Sequence, residues 1–427
     1  MKIEHSRNQS KYNIRINDIG IWLFVLFLFA GAYKADPRVA FIQERIDITL
    51  LFMSLSLLVS LYLLLKNQLV LRLPARFIKI AFLFTLLAIW LASGLLYSDS
   101  KQYGNEKVLK FIITGWSLFG VAFLIIDFRS LLSFSWSIAV LSTIMAYDAS
   151  VNYLRSEGGL FVTAFSSNYI ALSRIAGFGF LVITMFLLPV ERRKTIRLGL
   201  WGLAIWHLWT LLTSGARGPV IALPLSFLIF LLMIFSLRIS SSVPTGRRTV
   251  YIPAVMILAL LLVGIFGREL FPILFSRLQS LGEDQSTLIR RDLYREAIAL
   301  WLQSPVWGIG TGAFGTAFIG VDKRLYPHNV ILELAVETGI IGVFIFAIMM
   351  VNVCVKSISM LKSKNGPDEF TARYLTLIYW FAFLNAMVSG DINDNRLLFV
   401  CMALLGISDR FSPKREMNFY LKSQDGS

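Results

Sequence analysis

The stretch PHNVILELAVETGIIGVFIFAIMMVNVCV, residues 327–355, decides the fold. From residue 329 onward it is an apolar run long enough to cross roughly 30 Å of hydrocarbon as a helix. At its head, where an arginine-bearing polar loop meets the run, stand His328 and Asn329, with Gly339 and Gly342 further in. A titratable side chain at such a border is placed for chemistry on a membrane-borne substrate.

The rest of the chain repeats the pattern. Of 427 residues 56% are hydrophobic, and the mean hydropathy is +0.68. Soluble domains do not reach such values. The runs are continuous rather than alternating, which excludes a transmembrane barrel. The expected fold class is therefore all-α, a polytopic membrane protein of about twelve spans. They fall near residues 18–33, 46–65, 77–98, 108–127, 130–148, 168–189, 197–213, 218–237, 250–267, 329–355, 371–389 and 395–408. With the N-terminus inside, 24 of the 41 Lys and Arg fall on that same side, so both termini are expected in the cytoplasm. The net charge of +15 is mostly this bias, and nucleic acid is a poor explanation for it. Cys354 and Cys401 lie within or beside spans, so a disulfide framework is not expected. The first span ends Ala30-Gly31-Ala32, like a cleavage site, but reads as a retained signal anchor.

The chain reads as one integral membrane domain, 1–427, without repeats or low complexity. Its polar content gathers on the outer face in four segments. These are Ala149–Ser167, with Arg155 and Gly158-Gly159; the turn Thr213–Gly218; a loop of about 60 residues between spans nine and ten; and Ser389–Arg396. The long loop, the subdomain 268–328, holds 7 Lys/Arg and 6 Asp/Glu, so it is not a basic patch. Within it Thr287–Gln303 has amphipathic helical spacing through Leu293, Ala297, Leu300 and Trp301, and is expected at the membrane interface. Ser304-Pro305 ends that helix, and Gly308, Gly310, Gly312 and Gly315 make a flexible or close-packed turn. This run follows a helix and lacks a Lys-Ser/Thr sequel, so it is not a nucleotide site.

The candidate residues follow from chemistry. Of the three histidines, His5 is in a tail, His207 is inside a span, and His328 alone is at the outer border. Imidazole exchanges a proton near neutral pH and suits general-base work; the plainer role is a polar cap. Asn329, Glu333 and Glu337 share a helical face by i+4 spacing. A carboxylate in a span is costly and needs a partner, here an imidazole, an arginine, or a cation such as Arg174. Gly339 and Gly342 favour close helix packing. Arg217 sits in an outer turn between two spans, where a guanidinium suits phosphate oxygens as well as snorkelling to headgroups. Arg291 and Arg295 either clamp the same anion or pair with Asp292 and Glu296 on a solvated helix face. Asp391 and Asp394 bind a metal, act as a base or hold Arg396; without His or Cys beside them a tight metal site is weakly supported.

These residues resemble the O-antigen ligase and polymerase superfamily of bacterial inner-membrane glycosyltransferases. His328-Asn329, nine residues, Gly339, two residues, Gly342 looks like that family's histidine signature. Arg291, Trp301, Ser304-Pro305 and Gly308-x-Gly310 look like the stretch before it, and Ser214–Gly218 resembles its arginine turn. The resemblance covers roughly residues 150 to 405. It implies a glycan donor on undecaprenyl pyrophosphate and transfer at the periplasmic face of the inner membrane, without nucleotide sugar or ATP; no cofactor is expected, and no metal is needed if the arginines carry the leaving group's charge. It further implies an arginine pair on the pyrophosphate, matching Arg217 and Arg291, a catalytic histidine matching His328, and an aspartate matching Asp391 or Asp394. The expected activity is inverting transfer of glycan to a sugar hydroxyl of lipid A–core. Rival readings are a repeat-unit polymerase, a protein O-oligosaccharyltransferase and a transporter.

Overall fold

The computed structural model describes residues 15–66, 73–155, 161–240, 267–269, 271–280, 282, 284–362 and 369–411, and all their regular structure is helical. Thirteen helices of eight residues or more stand among them. They are α1 (Ile16–Phe29), α2 (Ile48–Leu65), α3 (Ala75–Ser93), α4 (Tyr103–Leu124), α5 (Phe128–Arg155), α6 (Tyr169–Val190), α7 (Lys194–Thr213), α8 (Arg217–Ser240), α9 (Pro272–Gln279), α10 (Gln285–Gln303), α11 (Val330–Lys362), α12 (Glu369–Ala386) and α13 (Arg396–Gly406). Seven of them (α2, α3, α4, α5, α6, α8 and α11) are long and apolar enough to cross a membrane. Helices α1, α7, α12 and α13 occupy four further positions where spans are expected, but are shorter or more polar. All but the last residue of the expected span at 250–267, Gly158-Gly159, His5 and most of both tails lie outside the described residues.

Helix α6 is the hub, with 83% of its apolar window enclosed by protein, against 28% for α2 and α3, whose leucine and isoleucine faces are open. Around α6 pack α5, α7, α8 and α12, while α11 lies along α3 and α13 along α4. Aromatic edges lock the second junction: Phe84 stacks on Phe111 with centroids 4.8 Å apart, and Phe399 meets Phe84 edge-on at 5.1 Å.

The expected run 329–355 is not a single straight helix. Gly339 breaks α11 at φ 65°, ψ −166°, a backbone region almost confined to glycine. The break turns three carbonyls away from helical partners, and each finds a donor elsewhere. The N–H groups of Ile309 and Gly310 reach Val336 O at 2.8 Å and Glu337 O at 3.1 Å, and the Trp90 indole reaches Thr338 O at 3.0 Å. In return Ile340 N–H donates to Pro305 O at 2.9 Å. The glycine-rich turn after α10 thus serves as hydrogen-bonding backbone for a broken span, which hydrocarbon alone would leave unsatisfied. It lies so close that a Cβ on Gly339 would stand 2.0 Å from Val306 O. Gly339→Ala is expected to cost about 3 kcal/mol or more through forbidden backbone and overlap together. A melting curve of the purified variant indistinguishable from wild type would refute this account of the kink.

Candidate functional site

Helix α10 buries Leu293, Ala297 and Leu300 against Phe314 and Val336, which docks it on the first turns of α11. Arg290 lies three residues before Leu293, on the same side of the helix. It lines a cavity together with Arg217, Arg277, Tyr169 and Ser389. Arg217 opens α8 after a turn in which Gly215 adopts φ 73°. Its guanidinium is nearly buried and bonded bidentately to Asp284, Nη1 to Oδ1 at 2.7 Å and Nη2 to Oδ2 at 2.8 Å. That pairing holds the Asp284 carboxyl well below the usual range. Arg277 donates to Gly215 O at 2.8 Å and lies over the rings of Phe161 and Tyr169.

Three guanidinium groups therefore meet at this cavity, and of the three arginines suggested by the sequence, Arg217, Arg291 and Arg295, only Arg217 is among them. Arg291 and Arg295 are exposed, and among the described residues neither forms an ion pair with Asp292 or Glu296. Arg290 and Arg277 escaped the sequence reading. For Arg290 a signal was present, since stepping the buried stripe of α10 back from Leu293 lands on it.

His328 ends the loop that leads into α11. Its backbone is left-handed at φ 55°, unusual for a residue with a side chain. Tyr326 meets the ring at 4.6 Å between centroids. Nδ1 is buried and has no hydrogen-bond partner. Burial first, then the positive charges of Arg290 and Arg324, push the imidazole down to about 4, against the opposing field of Asp391. At neutral pH the ring is uncharged and carries an unengaged nitrogen. Asn329 instead caps α11, its Oδ1 accepting the N–H groups of Ile331 and Leu332 at 3.0 and 3.1 Å.

Behind the histidine lies a second charged group. Arg324, on the same loop, donates to Asp391 Oδ2 at 3.1 Å and Asp394 Oδ2 at 2.6 Å. Asp391 also accepts the Tyr103 hydroxyl at 3.3 Å and caps the short turn Ile392–Asp394. Arg324, and not the neighbouring Arg396, is thus the cation the aspartates hold; Arg396 donates to Phe27 O at 2.9 Å. Among the described residues no group of three or more His, Cys, Asp or Glu is placed to hold a metal ion.

Glu333 and Glu337 are also paired otherwise than expected. Their partner is neither an imidazole nor an arginine but Lys107 of α4, whose Nζ lies 2.5 Å from Glu333 and 2.7 Å from both oxygens of Glu337. All three side chains are at most 2% exposed. Glu333 Oε2 additionally accepts the Ile392 N–H at 3.0 Å, which ties the aspartate turn to α11. Arg174, the cation suggested by the sequence, donates to Asn395 Oδ1 at 2.5 Å instead. Lys107 was missed because α4 begins at Tyr103, earlier than the span expected from 108, and takes the lysine inside. His207 is fully buried between Ser142 Oγ and Leu203 O, at 2.9 and 2.7 Å, a core histidine.

Comparison with known families shows that residues 202–347 fit the model described as O-antigen ligase. The matched segment runs from α7 to α11 and contains Arg217, Arg277, Arg290, Arg324, His328, Glu333 and Glu337; Lys107, Asp391 and Asp394 lie outside it. No curated protein matches the chain.

Proposed function

Because this multi-pass chain carries an O-antigen ligase family domain at residues 202–347, we propose that it is an O-antigen ligase of the bacterial inner membrane. The donor is a glycan on undecaprenyl pyrophosphate, and the acceptor is a sugar hydroxyl of lipid A–core. In this reading the chain crosses the bilayer about twelve times, both termini are cytoplasmic and the long loop is periplasmic, as the lysine and arginine bias supports. The observation that carries the proposal is the neutral His328 imidazole, with its unengaged nitrogen, in the field of Arg290, which walls a cavity together with Arg217 and Arg277.

The steps follow from that geometry. His328 takes the proton of the acceptor hydroxyl as its oxygen attacks the anomeric carbon. The bond from that carbon to the pyrophosphate oxygen breaks, its electron pair leaves with the pyrophosphate, and the anomeric configuration inverts. Charge building on the leaving group is the larger electrostatic demand, and guanidinium groups fixed in advance meet it. Arg290 takes the place suggested for Arg291, while Arg291 and Arg295 are exposed and do not line the cavity. Asp391, whose field favours the protonated ring, stabilises the imidazolium as it forms. Arg324, clamped by Asp391 and Asp394, keeps the histidine loop beside them.

Deletion of the gene in its source strain tests the reading through lipopolysaccharide and lipid-linked glycan. Long polymer stranded on undecaprenyl pyrophosphate beside bare lipid A–core is the expected result. Core bearing a single repeat would make the protein a polymerase with the same donor site. Unchanged lipopolysaccharide would overturn both.

A further inference from the structure

The best-held group in the arginine cluster is not an arginine but the carboxylate of Asp284. Arg217 grips both its oxygens, and the hydroxyls of Ser286 and Thr287 donate to it at 2.5 and 2.6 Å. Arg217 Nη2 reaches the same two hydroxyl oxygens at 2.9 and 3.2 Å, and Nη1 also reaches Arg277 O at 3.0 Å. A planar anion seated on a guanidinium fork with two hydroxyls around it occupies the ligand set a phosphoryl group would use. The carboxylate is 21% exposed, and the cavity with Arg277 and Arg290 opens beside its arginine.

We propose that Asp284 is a specificity-determining residue of the donor site, an internal anion that a diphosphate displaces from Arg217 and a single phosphodiester does not. The inference rests on the reading of this cavity as the donor pyrophosphate site. A membrane surface is crowded with phosphodiester headgroups, and an open triple-arginine cavity would fill with them. Exchange of one singly charged anion for another on the same guanidinium gains little. A diphosphate brings more charge and a second phosphoryl group, which reaches Arg290 or Arg277 while the first replaces the carboxylate. Ordinary headgroups lack that second anchor.

Calorimetric titration of the full chain in detergent tests this, with inorganic pyrophosphate and with glycerophosphoglycerol, a soluble phosphodiester. Wild type is expected to prefer pyrophosphate at least tenfold. Asp284→Asn is expected to bind the phosphodiester at least tenfold more tightly than wild type, collapsing the preference. An unchanged ratio in Asp284→Asn, or equal weakening toward both ligands, overturns the role of Asp284 alone. Failure of wild type to bind pyrophosphate overturns the donor-site reading itself and the inference with it. Should Asp284→Asn not fold, hydrogen exchange on wild type decides. Pyrophosphate is expected to speed exchange in the first turn of α10, released as Asp284 leaves Arg217; slowed or unchanged exchange there overturns the proposal.

Discussion

Replacing His328 with alanine is expected to lower glycan transfer by roughly 10²- to 10⁴-fold while the protein stays folded. The stronger form of the experiment is His328→Gly. The native residue sits at φ 55°, where a side chain costs on the order of 1 kcal/mol and glycine costs almost nothing. Glycine therefore relieves backbone strain as it removes the base, and its melting temperature should match or exceed that of wild type. A folded His328→Gly variant with normal transfer would sink the mechanism. The pH profile supplies a second check. The free-enzyme imidazole is held at about 4, so it is neutral, and competent as a base, from about pH 5 upward. Bound pyrophosphate adds negative charge near the ring, favours the protonated form and raises its pKa. The acid limb of kcat should therefore lie at higher pH than that of kcat/KM, and an inverted order would count against an anion beside His328. Stability bears the same sign. A folded pKa below the unfolded value of about 6.5 means that the unfolded chain binds more protons between 4 and 6.5, so this residue's contribution is lost as pH falls through that window.

The second large effect is on folding. Lys107→Met leaves Glu333 and Glu337 in a buried site without their cation, and is expected to destabilise the protein by about 3–5 kcal/mol. The cost comes from stranded charge rather than from a lost bond. The triple variant Lys107→Met, Glu333→Gln, Glu337→Gln should therefore recover most of it, since removing all three charges removes the desolvation problem. Thermal melts in detergent separate the cases. A single variant as stable as wild type, or a triple variant worse than the single one, would show that the triad is not held together as described.

What the sequence made legible was what one element reveals by itself. The expected 46–65, 168–189 and 218–237 fall within two residues of the candidate spans 48–65, 169–190 and 217–237, because a long apolar run has few alternatives in lipid. The amphipathic Thr287–Gln303 is Gln285–Gln303, readable from its stripe of buried residues. Partnership between elements was not legible. Glu333 and Glu337 plainly needed a cation, but Lys107 stands 230 residues from Glu337, and periodicity carries no information across that distance. Arg291 stood out for the i+4 spacing it shares with Arg295 and for its place in the resemblance, while Arg290 drew no notice; the one-residue difference is a turn of about 100° around the helix, which separates an exposed side chain from one that lines the cavity. The kink at Gly339 was hidden as well. A glycine in an apolar run reads as close packing, and the packing is real, but only the neighbouring turn shows that the backbone breaks there.

The Lys107 bridge limits what can be moved between proteins. The segment 202–347 looks like a cassette, holding the histidine, the arginines and the acidic helix, yet its two buried glutamates share a cation supplied from α4, and the aspartate whose field acts on its histidine comes from beyond residue 390. Grafted alone into another membrane scaffold, it would arrive with two buried glutamates lacking the cation they share and with a loose histidine loop. A working chimera has to carry three separate pieces of chain together, the start of α4, the matched segment and the turn before α13. Exchange of donor or acceptor preference between such proteins is thus more readily engineered at single residues around the cavity than by swapping the segment whole.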